Sequence, residues 1–214
     1  MRVFGKGVTV KQGLIAMVCM AALLGCEAGL SAATRGQESE VAAPARTAEY
    51  FDGERWRTVW VSDREVVEFI ADDGKASLVP AMAPQAELVS ERVRTRVWRL
   101  PENASAAAAI RAVRQERRDE RLSPRFYRSA GGASPMALSD TIIVRFKQSW
   151  SEEDIEAWAG RNGVELVRRQ AMQSHAYVVR TEPGMAALET ANAIQNSGEV
   201  EFATPDWWVE THLR

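Results

Sequence analysis

At 214 residues, with 46% hydrophobic and 26% charged side chains, the chain suits one sizeable domain or two small ones and is not compositionally disordered. A formal net charge of −2 gives no electrostatic reason for a polyanionic partner, and the bias of 23 Arg over 4 Lys reads as genome composition before function. With Cys19 and Cys26 as the only cysteines, a cysteine metal cluster is excluded.

The N-terminus carries Arg2, Lys6 and Lys11 ahead of an apolar run, Leu14 to Leu24, followed by Gly25 and Cys26. A positive segment, a short apolar segment and small residues are the layout of a secretory signal, predicted here over 1–25. The run falls short of the roughly 20 residues a membrane-spanning helix needs. Leu23-Leu24-Gly25-Cys26 resembles a bacterial lipobox, in which Cys26 would become the lipidated first residue; ordinary cleavage after Ala32 or Ala33 is the alternative. Loss of Arg2, Lys6 and Lys11 would take the net charge from −2 to −5 and leave at most one cysteine, so no internal disulfide. The lipobox reading places the protein in the bacterial cell envelope, membrane-anchored and facing the periplasm or exterior; ordinary cleavage would leave it secreted.

Residues 26–49 are rich in Ala, Ser, Gly, Thr and Glu without periodicity, and are expected to be a flexible tether. Patterned sequence begins near Tyr50. RWRTVWV (55–61) and REVVEFI (64–70) are β-rich runs on either side of Ser62-Asp63, which predicts a hairpin there. The stretch 71–86 is then broken by Gly and Pro.

From residue 87 the chain repeats itself. Residues 87–128 and 165–209 both open on Glu-Leu-Val, continue to a strand ending in Arg99 or Arg180, and follow with a proline-containing turn and an alanine-rich helix. Counted from those arginines, Val113 matches Ile194, and Ser123-Pro124-Arg125-Phe126-Tyr127 matches Thr204-Pro205-Asp206-Trp207-Trp208. The expected organisation is a degenerate unit over 50–128, a linker over 129–139 and a second unit over 140–214.

The second unit is the clearer. TIIVRFK (141–147) alternates as a half-buried strand does. Ser151 and Asp154 form a capping box for a helix with Ile155, Trp158 and Ala159 on its inner face, and Gly163 suits its C-terminal position. Strands follow at 164–168 and 175–181, a helix at Met185 to Asn196 with Leu188, Ala191 and Ile194 inward, and a last strand at 200–204. The order β-α-β-β-α-β is that of a ferredoxin-like split βαβ unit. The fold class expected is therefore α+β, two such units with antiparallel sheets, each leaving one sheet face free for a partner.

Chemistry is sparse. Of the two histidines, His175 starts a predicted strand and His212 sits near the chain end. No Gly-x-Ser-x-Gly, His-Glu-x-x-His or P-loop motif is present, nor the phosphate cradle of acylphosphate hydrolysis. The expectation is a non-catalytic chain with no cofactor, no metal site and no nucleic-acid partner. The arginine-rich stretch 111–128 interleaves with Glu116, Asp119 and Glu120, which predicts an exposed helix face laced by i,i+4 ion pairs. Asn103-Ala104-Ser105 reads as a helix N-cap rather than a glycosylation site.

Residues 142–208, with Ile-Val-Arg-Phe-Lys, Val-Glu-Leu-Val, Tyr-Val-Val and Val-Glu-Phe-Ala-Thr-Pro-Asp, resemble the N-terminal prodomain of subtilisin-like serine proteases; residues 50–128 are similar to a degenerate preceding copy. The resemblance implies a tight-binding protease inhibitor and intramolecular folding chaperone, with a subtilisin-like protease as partner. It implies a docking face built from alternate residues of 141–147 and 175–181. It also implies a substrate-like tail in the protease cleft, here Trp207, Trp208, Val209, Glu210, Thr211, His212, Leu213 and Arg214. Two departures stand out. The chain carries no Asp, His and Ser motifs of a protease domain, which leaves a free-standing inhibitor or helper and a truncated precursor as accounts within the resemblance, and a ferredoxin-like interaction module of the envelope with no protease partner as the reading outside it. The loop 169–174 lacks the carboxylate that often caps protease helices in this family.

Overall fold

The computed structural model describes residues 46–70, 75–130, 132, 135–171 and 175–210. The predicted signal, Cys26, the tether up to residue 45 and residues 211–214 lie outside them. Strand β1 (Arg46–Phe51) claims the last residues assigned to the tether, because they pair with the strand that follows. The turn between them is Asp52-Gly53-Glu54-Arg55. Gly53 adopts φ +100°, and the Asp52 carboxylate accepts the Glu54 and Arg55 amides at 3.0 and 2.9 Å. Those amides, the Arg55 one foremost, and the Arg57 guanidinium hold the Asp52 carboxyl well below the usual range.

The hairpin expected at Ser62-Asp63 does not form. Instead β2 (Trp56–Phe69) runs straight through as 14 residues. Ser-Asp lacks the positive-φ residues that a tight hairpin turn needs. The Ser62 hydroxyl accepts the Arg64 and Glu65 amides at 3.2 and 3.1 Å, and the register against β5 slips between Val61 and Val66. This bulge re-aims the strand: Val59 and Val61 enter one core, Val66 another.

Next come α1 (Val79–Met82), β3 (Glu87–Arg92), β4 (Thr95–Arg99), α2 (Ala106–Glu116) and β5 (Arg121–Tyr127). Ser105 caps α2 by accepting the Ala108 amide at 3.2 Å, as the sequence suggested. β6 (Pro135–Arg145) then takes up five residues of the expected linker, with a register slip of its own between Leu138 and Ile142. The chain continues through α3 (Glu152–Asn162), β7 (Glu165–Arg169), β8 (Ala176–Arg180), α4 (Met185–Ser197) and β9 (Phe202–Val209). The capping box is present: Ser151 Oγ accepts the Asp154 amide and the Asp154 carboxylate accepts the Ser151 amide, at 3.2 and 2.8 Å. Gly163 ends α3 at φ +63°.

The protein is α+β, and every strand pair among the described residues is antiparallel. One set of neighbours runs β5-β2-β4-β3 and another β9-β6-β8-β7; β5 joins β6 through Phe126 opposite Met136 and Tyr127 opposite Pro135. The larger core lies under α3 and α4 and includes Phe146, Ile155, Trp158, Leu188 and Ile194, together with Val59, Val61 and Phe126 from the first half. The smaller lies under α1 and α2 around Val66, Leu100, Val113 and Leu122. Gly184 fits where the two halves meet. It sits at φ +71° at the start of α4, and a Cβ there would stand 2.8 Å from the Leu122 carbonyl oxygen.

Candidate functional site

The end of β9 is not a loose apolar tail. Trp207 opposes Leu138 and Trp208 opposes Ala137 in the sheet, and the Glu210 amide donates to the Pro135 carbonyl at 3.0 Å. The Trp207 ring stands edge-on between Tyr50 and Phe126, both with centroids 5.1 Å away, and its buried indole N–H has no acceptor. The Trp208 ring meets Phe69 edge-on at 6.2 Å, beside Val67, Val97 and Ala137. Both tryptophans therefore take part in holding the two halves together. Thr211, His212, Leu213 and Arg214 lie outside the described residues.

Glu210 closes this end. Its carboxylate, buried to 3% exposure, accepts from Arg125 Nη2 at 2.5 Å and pairs with Arg92 at 3.8 Å. Arg125 also reaches Glu65 at 3.5 Å. Glu65 is fully buried, pairs with Arg99 at 3.1 Å and accepts from the Tyr127 hydroxyl. Burial first, and then the bond to Glu65, pushes the Tyr127 phenol well above its usual range. The cluster is a chain of carboxylates and guanidiniums in which each charge has a partner, and removing one member leaves another unpaired. The sequence reading did not single out Glu65. The available signal was a carboxylate at the alternate spacing that puts it level with Val67 and Phe69.

A second surface lies on β9-β6-β8-β7, on the side away from α3 and α4. Ile142, Val144, Tyr177, Val179 and Ala203 fill the core, so the alternate residues turn outward. In register, Arg145 stands between Ala176 and Phe202, Ile143 between Val178 and Thr204, and Thr141 next to Arg180. Arg145 lies over the Phe202 ring at 6.0 Å and pairs with Glu201 at 3.3 Å. Arg180 bridges Asp140 and Glu165 at 2.8 and 3.0 Å, and the Thr141 hydroxyl donates to Asp206 at 3.0 Å. The result is a narrow apolar stripe, Ile143 and Phe202 half-buried, edged by ion pairs. His175 enters β8 at φ +57° and gives its carbonyl to the Phe146 amide; its buried Nδ1 has no partner. Among the described residues, no group of three or more His, Cys, Asp or Glu side chains could hold a metal ion. No helix among them is long and apolar enough to cross a membrane.

This geometry belongs with a region similar to the prodomains of subtilisin-like proteases. Residues 128–206 match the family of the fervidolysin N-terminal prodomain. The matched span runs from Arg128, just before β6, to Asp206 in β9, and so contains the outward face but not Trp207 to Glu210. No curated protein and no solved structure is a match to the chain.

Proposed function

We propose that this protein binds a subtilisin-like serine protease as a propeptide-type inhibitor or folding chaperone. The observation that carries the reading is the prodomain match over residues 128–206. The outward face of Thr141, Ile143, Arg145 and Arg180 would dock on the protease. Thr211, His212, Leu213 and Arg214 would enter its cleft, where an extended segment gains main-chain hydrogen bonds while alternate side chains fill pockets. Trp207, Trp208, Val209 and Glu210 would aim that segment rather than enter the cleft themselves, because their side chains are engaged within the fold. The two halves would be tandem ferredoxin-like units, the first with its first helix reduced to α1; the matching strand orders β5-β2-β4-β3 and β9-β6-β8-β7 support this. Lipidation at Cys26 would hold the protein in the bacterial cell envelope, checked by an intact mass beginning at Cys26 with acyl chains.

The test compares the full chain with one ending at Glu210 as inhibitors of a purified subtilisin-like protease. We expect nanomolar-class inhibition by the full chain, at least about a hundredfold weaker inhibition by the shortened one, and the same melting temperature for both. Equal inhibition would remove the substrate-like tail; no inhibition and no aid to protease refolding by either would remove the reading altogether. A cut before Trp207 is uninformative, since it takes away the last three residues of a core strand.

A further inference from the structure

A cleft of about 490 Å³ opens between α2 and the start of α4, within the size range of small-molecule sites. It absorbs the arginine-rich stretch that the sequence suggested was laced by i,i+4 pairs. The ion pair that forms within this stretch is Arg117 with Glu120, three residues apart, while Arg111 and Arg114 from α2 and Arg118 from the turn that follows it line the cleft. Arg46 joins them from β1, so among the described residues four guanidiniums and no carboxylate line it. Arg46 has a long contact to Asp63 at 3.9 Å; Arg111 and Arg118 have no ion-pair partner among the described residues.

Arg114 is the informative one. Its Nη2 donates to the Leu122 carbonyl at 3.3 Å and the Pro183 carbonyl at 2.7 Å, both neutral acceptors. Its Nε–H is buried with no acceptor at all. Burial lowers its affinity for its proton, and the exposed Glu182 offsets this only at a distance. A half-buried cation bonded only to neutral carbonyls, beside three more cations, is short of an anion.

The rest of the lining selects what carries that anion. Ile110, Leu122, Pro124, Pro183 and Met185 form apolar walls. Two of the five are prolines without an N–H, and the carbonyls of Leu122 and Pro183 are already taken by Arg114. A peptide backbone laid here would lose its hydrogen bonds to water and find few replacements, whereas an alkyl chain has none to lose. We infer that the cleft between α2 and α4 binds an aliphatic carboxylate, fatty-acid-like in kind, with its head at Arg111, Arg114 and Arg118 and its chain against the Ile110–Met185 walls.

The test is isothermal titration of the full chain with octanoate, octan-1-ol, acetate and tri-leucine. Octanoate should bind once per chain, with acetate and octanol at least about tenfold weaker, since each lacks one half of the recognition. The Arg111→Gln/Arg118→Gln double variant, both side chains solvent-exposed, should weaken octanoate at least about tenfold with an unchanged circular dichroism spectrum. Ala107→Trp, which fills the cleft from the exposed side of α2, should abolish binding without unfolding the protein. Octanol binding as well as octanoate, full affinity in the double variant or in Ala107→Trp, or tri-leucine binding more tightly than octanoate would each overturn the proposal. So would no octanoate binding at millimolar concentration.

Discussion

The two halves place strands in the same order and treat the side away from their helices in opposite ways. In the first, Glu65 stands opposite Arg99; in the second, Thr141 occupies the corresponding place opposite Arg180. Glu65 is buried because Ala137, Trp208 and Glu210, which come from the other half, close over that side. Arg180 is exposed and pairs with exposed or part-exposed carboxylates. A sheet side that the chain covers itself can carry a buried charge network. One left uncovered keeps its charges in water, where they remain available to a partner.

Breaking the network should give the largest effect. Arg125→Ala leaves both Glu65 and Glu210 buried without their shared cation and should lower unfolding free energy by roughly 3–5 kcal/mol in urea titrations. A loss below about 1 kcal/mol would mean that the cluster is solvated and the two sides are alike after all. Trp207→Ala should follow at roughly 3 kcal/mol, since it empties the space between Tyr50 and Phe126. Trp208→Ala, with one ring contact, should lose less; the reverse ranking would misplace the joint between the halves.

Gly184→Ala forces a Cβ against the Leu122 carbonyl at a positive φ, and we expect a loss of roughly 1–3 kcal/mol by thermal melting. Stability equal to the parent protein would show that the halves can slide apart there without penalty. The Tyr127 phenol supplies a pH test. Its pKa is raised in the fold above the ordinary value of about 10, so the folded protein keeps a proton that the unfolded chain releases. That stabilisation is complete below about pH 10 and declines as pH rises above it. Unfolding free energy measured between pH 8 and 11 should therefore fall more steeply in the parent than in Tyr127→Phe, and parallel curves would refute the buried bond to Glu65. Smallest of all, Arg180→Ala on the uncovered side should change stability by less than about 1 kcal/mol, as exposed ion pairs do. If the proposed docking is right, the same substitution should weaken protease inhibition.

What was legible in the sequence was local. The Ser151–Asp154 capping box, the Gly163 terminus, the Leu188-Ala191-Ile194 stripe and the alternation over 141–145 depend on neighbours within a few residues, and each appears in the structure. Read in chain order, the same cues traced the β-α-β-β-α-β succession from β6 to β9. Three features were decided by tertiary structure instead. β2 runs through Ser62-Asp63 because β1, β4 and β5 all pair along it, outweighing a weak turn signal. Trp207 and Trp208 become packing residues because Tyr50, Phe69 and Phe126, up to 157 residues away, meet them in space. Arg125 becomes a bridge between two buried carboxylates, and Arg114 a cleft-lining cation, for the same reason. Burial is set by what the rest of the chain lays over a side chain, and no window of local sequence contains that.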